Sequence, residues 1–132
     1  MKKHIAILII GASLALIPSC KKYDDGPRLS THTKKARITN VWQFDKVVDS
    51  RGSTITSLYS GMTIEFIKDG KYIETQPSGS VTGRWELVDD KEKIKVTYDA
   101  GHSAPSELTI RRLTNKEFWF ENGDQTYYCK PN

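Results

Sequence analysis

Between Ile38 and Pro131 apolar residues recur at every second position in short runs, and no stretch keeps a 3.6-residue period over three turns. A period of two places alternate side chains on opposite faces of a pleated strand, so this part of the chain reads as all-β. Met62-Thr63-Ile64-Glu65-Phe66 puts Met62, Ile64 and Phe66 on one face. Ser80 to Val88 gathers Val81, Gly83, Trp85 and Leu87 against Thr82, Arg84 and Glu86, and Lys93 to Tyr98 turns Ile94, Val96 and Tyr98 inward. Near the end, Phe118 and Phe120 share a face opposite Trp119, and Tyr127 and Cys129 share one opposite Tyr128.

Turn chemistry separates these runs. Lys68-Asp69-Gly70-Lys71 and Asn122-Gly123 are the two strongest hairpin signals, because tight turns need positive φ, which Gly, Asn and Asp tolerate; a type I′ turn is expected at Asp69-Gly70. Gln76-Pro77-Ser78-Gly79 and Asp89-Asp90-Lys91 break the pattern again, and two longer loops rich in small and polar residues fall at 52–61, with room for one helical turn, and at 99–105. Alternation slips after Phe44 in the opening stretch Val41 to Val48, and again at Arg112-Leu113, where a β-bulge explains the lost phase. About eight strands with short connections form a meander. Closing it into a small antiparallel barrel removes its edges and buries one face, whereas two small packed sheets would use the same periodicity.

The amino end has a different grammar. Met1-Lys2-Lys3-His4 precedes an apolar or small run from Ile5 to Ile17, then Pro18-Ser19-Cys20 and the polar Lys21-Lys22-Tyr23-Asp24-Asp25-Gly26-Pro27. The run is too short to cross about 30 Å of hydrocarbon as a permanent helix, so it reads as an export signal. With Ile17, Ser19 and Cys20 in place, the segment resembles a bacterial lipoprotein signal peptide. The resemblance implies cleavage after residue 19 and acylation of Cys20, whose two or three chains would hold a domain stably at a bilayer. Residues 20–36 then form the lipidated start and a polar tether. At about 3.3 Å per residue, the tether's sixteen or so residues reach roughly 50 Å when stretched. The alternative for Lys34 to Ile38 is an arm packed on the domain, since Ile38 and Val41 are apolar enough to begin its core.

Removing residues 1–19 from the 132 leaves 113, which suits one domain spanning 37–132. The formal charge of +4 falls to +2 without Lys2 and Lys3, and acids are interspersed with the remaining bases, so no nucleic-acid partner is expected. A lipid on the Cys20 sulfur leaves Cys129 as the lone thiol, read as a small buried hydrophobe, with an intermolecular disulfide as the alternative. His4, His32 and His102 are scattered over signal, tether and loop, so neither a metal site nor another cofactor is expected.

No metalloprotease, phosphate-loop or nucleophile-elbow motif occurs, and the paired acids Asp24-Asp25 and Asp89-Asp90 fall in tether and turn, so catalysis is not expected. Binding is. An eight-stranded barrel either fills or holds one small ligand. Tyr72, Trp85, Tyr98, Phe118, Phe120 and Tyr127 are the aromatics expected inside or at the mouth, with Arg84, Arg111 and Arg112 available for a polar contact if a bulge turns one inward. The plainer alternative is that these rings simply fill a core. Trp119 and Tyr128 form a contact patch if exposed.

Trp42 in the opening segment, the Phe66-Ile67-Lys68-Asp69-Gly70-Lys71-Tyr72 hairpin, Gly83-Arg84-Trp85-Glu86-Leu87, Asp90-Lys91-Glu92-Lys93-Ile94 and Leu113-Thr114-Asn115-Lys116-Glu117 follow one another in an order, behind a lipoprotein signal, that resembles the lipocalin-like lipoproteins of Bacteroidetes. The resemblance implies a small antiparallel barrel and leaves the ligand open. The expected protein is a monomeric, non-enzymatic lipoprotein of the outer membrane, facing periplasm or exterior, acting as a binding or interaction module toward an envelope protein. The alternative is a carrier or sensor of a small hydrophobic ligand.

Overall fold

The computed structural model describes residues 33–101 and 103–132. The signal, Cys20, His102 and the tether as far as residue 32 lie outside the described residues.

The described chain opens with one helical turn, α1 (Lys34–Ile38), where a polar tether through residue 36 was expected. The Thr33 hydroxyl caps it by accepting from the Ala36 N–H at 3.1 Å, and the turn stops at Thr39, whose backbone is extended. Its purpose is packing: Ile38 is wholly buried, and its carbonyl accepts the Trp42 indole N–H at 2.9 Å.

Eight antiparallel strands follow: β1 (Asn40–Val48), β2 (Thr63–Phe66), β3 (Lys71–Gln76), β4 (Gly79–Val88), β5 (Lys93–Tyr98), β6 (Ser106–Leu113), β7 (Phe118–Asn122) and β8 (Gln125–Pro131). Each pairs with the next, and β8 pairs back to β1, closing the barrel. Strand β1 is shared unevenly. Residues 40–43 pair with β2, while 42–48 pair with β8, and a 3₁₀ turn at Thr56–Tyr59 fills the gap left where β1 and β2 part.

Both lapses of alternation are bulges. In β1 the register jumps between Phe44 and Lys46, so Asp45 is the extra residue and both Phe44 and Val47 face inward. In β6 it jumps between Ile110 and Arg112, so Ile110 and Leu113 both reach the core. The bulge does not turn an arginine inward, as the sequence left open. Arg111 is exposed and pairs with Glu121 at 2.7 Å, while Arg112 lies over the outward Trp119 ring at 5.0 Å and pairs with Glu117.

The turns differ in detail from expectation. At Asp69-Gly70 the Ile67 N–H bonds to the Lys71 carbonyl and the Gly70 N–H to the Ile67 carbonyl, both at 2.9 Å, and only Gly70 has positive φ, +95°. That is a three-residue loop with a glycine bulge, rather than a type I′ turn. In the last hairpin Asn122 opposes Gln125, so the loop residues are Gly123 and Asp124, with positive φ at Gly123 alone, as in a type II′ turn.

Even strand number puts the connections on two sides. At one end lie α1, the β2–β3, β4–β5 and β6–β7 turns, and Asn132, whose N–H bonds to the Val41 carbonyl at 3.0 Å. At the other lie the 3₁₀ turn, the β3–β4 turn, the long β5–β6 loop and the β7–β8 turn. The first end is sealed. Trp42 and Phe118 rings meet at 5.5 Å, Phe66 packs edge-on to Trp85 at 5.4 Å and to Phe118 at 5.9 Å, and the Trp85 indole N–H is satisfied by the Ile67 carbonyl at 2.9 Å. The Lys35 ammonium rests 5.7 Å above the Trp85 ring, and Lys34 bonds to the Lys91 carbonyl at 2.6 Å, strapping α1 across the barrel floor.

Candidate functional site: the mouth of the barrel

At the end opposite α1 the interior is not filled. A cavity of about 150 Å³ is lined by Phe44, Tyr59, Met62, Ile64, Tyr72, Glu74, Val96, Tyr98, Leu108, Phe120, Asn122 and Tyr127. Every strand except β4 contributes, and it does so through its period of two: two residues on from Tyr72 along β3, Glu74 shares its face, and Tyr98 is the last inward residue of β5. Tyr59 arrives differently. The 3₁₀ turn carries its ring over the opening, 5.2 Å from Phe44 and edge-on at 5.4 Å to Tyr127, which itself stacks on Phe120 at 4.8 Å.

Gly83 shapes the opposite wall. It stands between Tyr72 on β3 and Tyr98 on β5, and a Cβ there would lie 2.4 Å from the Thr97 carbonyl oxygen. Glycine therefore lets β4 press against β5, and the two tyrosine rings meet edge-on at 6.0 Å beside it.

The polar groups of the mouth are organised. Tyr59 and Tyr127 both donate to the Gln125 side-chain oxygen, Tyr59 at 2.6 Å, and their hydroxyls are 3.1 Å apart. Tyr72 donates to Glu74 at 3.2 Å, and the Gln76 amide donates to the other Glu74 oxygen at 2.6 Å. Burial, helped by the Glu74 charge, pushes the Tyr72 phenol well above its ordinary range, and burial followed by the bond with Tyr59 does the same to Tyr127. These hydroxyls stay protonated at any physiological pH. Among the described residues every buried side-chain polar atom has a hydrogen-bond partner.

Of the residues singled out from the sequence, Tyr72, Tyr98, Phe120 and Tyr127 meet at this cavity. Trp85 and Phe118 belong to the sealed floor, where Phe118 has no exposed surface. Arg84 is on the outer face, exposed, its guanidinium 3.4 Å from the Asp69 carbonyl, and so does not face the mouth. Cys129 is buried, and that burial raises its thiol pKa strongly. Trp119 and Tyr128 pair with each other on the outer wall at 5.0 Å, flanked by Arg112 and by Lys46, whose ammonium is 5.7 Å from Tyr128.

Sequence reasoning missed Phe44, Tyr59 and Glu74. The count from Tyr72 carried the signal for Glu74; nothing local marked Tyr59.

A closed eight-stranded meander with one sealed end and one lined opening is a lipocalin-like barrel. The solved structures it matches agree. A lipocalin-like protein from Bacteroides uniformis superposes with a TM-score of 0.61 at 11% identity, covering 73% of this chain and 99% of that one. An uncharacterized protein from Bacteroides eggerthii gives 0.59 at 14% identity over 71% and 98%, and a DUF4847 family protein from Bacteroides vulgatus gives 0.54 at 8% over 75% and 96%. At such identities the likeness is one of fold. No family model matches the sequence, and no curated protein does.

Proposed function

We propose that the chain is an envelope lipoprotein, held at the outer membrane by acyl groups on Cys20, whose barrel is a non-enzymatic module that takes a small ligand into its mouth. The cavity at the end opposite α1 carries this reading. A cavity of about 150 Å³ suffices for a benzene-sized molecule, so the ligand, or the part of it that enters, is compact. Tyr72 and Tyr127 at the opening are held protonated by burial and are hydrogen-bonded, which suits recognition better than acid–base work. An interaction surface on the outer wall has weaker support, because Trp119 and Tyr128 already pair with each other, with Arg112 over Trp119 and Lys46 over Tyr128.

Two measurements test the reading. Intact mass of the protein taken from its native envelope is expected to show loss of residues 1–19 and a diacyl or triacyl adduct; an unmodified thiol on an unprocessed chain rejects the anchor. Titration of the mature protein with benzyl alcohol, followed by NMR, is expected to shift the ring signals of Tyr98 and Tyr127 while leaving Trp42 in place. A spectrum left unchanged by benzyl alcohol and also by its charged analogue benzylammonium rejects the mouth as a site.

A further inference from the structure

The mouth sets a carboxylate among aromatic rings. Glu74 is half-buried on the interior face of β3, and none of the ion pairs formed among the described residues involves it. Its two neighbours are neutral donors, the Tyr72 hydroxyl and the Gln76 amide, one to each oxygen. A carboxylate offers about four lone-pair positions, so two remain for a ligand. The rest of the lining points the same way. The hydroxyls of Tyr59 and Tyr127 share their two protons among the Gln125 oxygen and each other, and their oxygens retain lone pairs that can accept. Phe44, Tyr59, Tyr72, Tyr98, Phe120 and Tyr127 surround the space, with the Tyr59–Tyr127 and Tyr72–Tyr98 pairs crossing at 89° and 76°. Asn122 adds a neutral amide that can serve either as donor or as acceptor. Acceptors, π faces and one negative charge are complementary to a cation.

Resting on the reading of the mouth as a small-ligand site, we propose that its ligand carries a compact organic ammonium group, with the N–H donors bound by Glu74 and the charged head boxed by the tyrosine and phenylalanine rings. A neutral hydrocarbon of the same size leaves the carboxylate without a charged partner in a partly dry site, and is held less tightly.

Benzylammonium and benzyl alcohol are nearly isosteric and differ in charge, so they separate this inference from the reading beneath it. By NMR titration of the mature protein at neutral pH and low salt, benzylammonium is expected to bind about tenfold more tightly than benzyl alcohol. In Glu74→Gln, which keeps the shape but removes the charge and replaces one acceptor oxygen with an NH2 donor, that preference is expected to vanish while benzyl alcohol binding stays within about twofold. A thermal melt of the variant confirms that it is folded, and Arg84→Ala on the outer wall serves as a control that leaves both affinities unchanged. Equal affinities in the parent protein, or an ammonium preference that survives Glu74→Gln, overturn the inference and leave the small-ligand site standing. Binding of neither probe overturns both.

Discussion

The two ends of the barrel use aromatic residues in opposite ways. At the floor, Trp42, Phe66, Trp85 and Phe118 interlock with no phenol among them, and the two indole N–H groups go to backbone carbonyls of Ile38 and Ile67. At the mouth, Tyr59, Tyr72, Tyr98 and Tyr127 keep their hydroxyls in side-chain hydrogen bonds and leave a gap between them. At the floor tryptophan and phenylalanine stabilise by excluding water; at the mouth tyrosines, with Phe44 and Phe120, line a space that something else can enter. The same closed sheet is thus packed tight at one end and left open, with its polar groups, at the other.

The difference is most easily broken at the floor. Phe118→Ala is expected to cost about 3–5 kcal/mol, because the ring is fully buried against Trp42, Phe66 and Phe120, whereas Tyr59→Ala at the half-buried lid is expected to cost no more than about half that. Urea unfolding of the two variants measures both, and equal losses would erase the distinction between the ends. Gly83→Ala comes next. The added methyl meets backbone rather than a movable side chain, so about 3 kcal/mol is expected, together with displaced Tyr72 and Tyr98 ring signals in the NMR spectrum.

Alkaline pH sharpens the comparison through proton linkage. Burial keeps Cys129, Tyr72 and Tyr127 protonated in the folded protein beyond the pH at which the unfolded chain releases those protons. Stability from this source is therefore complete below about pH 8, falls first as an unfolded thiol ionises and then further above about pH 10 as unfolded phenols do. Each group contributes a slope of up to about 1.4 kcal/mol per pH unit. Urea midpoints between pH 7 and 11 follow it, and Cys129→Ala is expected to remove the earlier onset while sparing the later fall. The smallest effect is a gain. Asp89, Asp90 and Lys91 all have positive φ in the β4–β5 turn at the floor, so Lys91→Gly is expected to raise stability by about 1 kcal/mol, read as a higher melting temperature.

How much of this was legible in the sequence follows the same division. The floor is written locally: alternation along β2, β4 and β7 assigns Phe66, Trp85 and Phe118 to one face, and the lost phase at Arg112-Leu113 announced the β6 bulge. The mouth depends on partners remote in sequence. Tyr59 sits in a polar loop and meets Gln125 and Tyr127 only because the barrel closes, 66 and 68 residues away. Glu74 was within reach of a simple count from Tyr72, but a carboxylate facing inward contradicts the usual preference for burying apolar groups, and only the Gln76 and Tyr72 donors make it tolerable. Arg84 was misplaced for the converse reason: β4 alternates cleanly, which sends it outward with Glu86, and a role at the mouth required a distortion that β4 does not have. The shape of the Asp69-Gly70 loop turned on register, which a dipeptide does not encode.

An even number of up-and-down strands returns a chain to the side from which it set out. Thr33, at the start of α1, and Asn132 accordingly lie at the sealed end, with the aperture on the far side. A tag or chip surface joined directly at Thr33 or Asn132 meets the molecule at its base, with the opening on the opposite side.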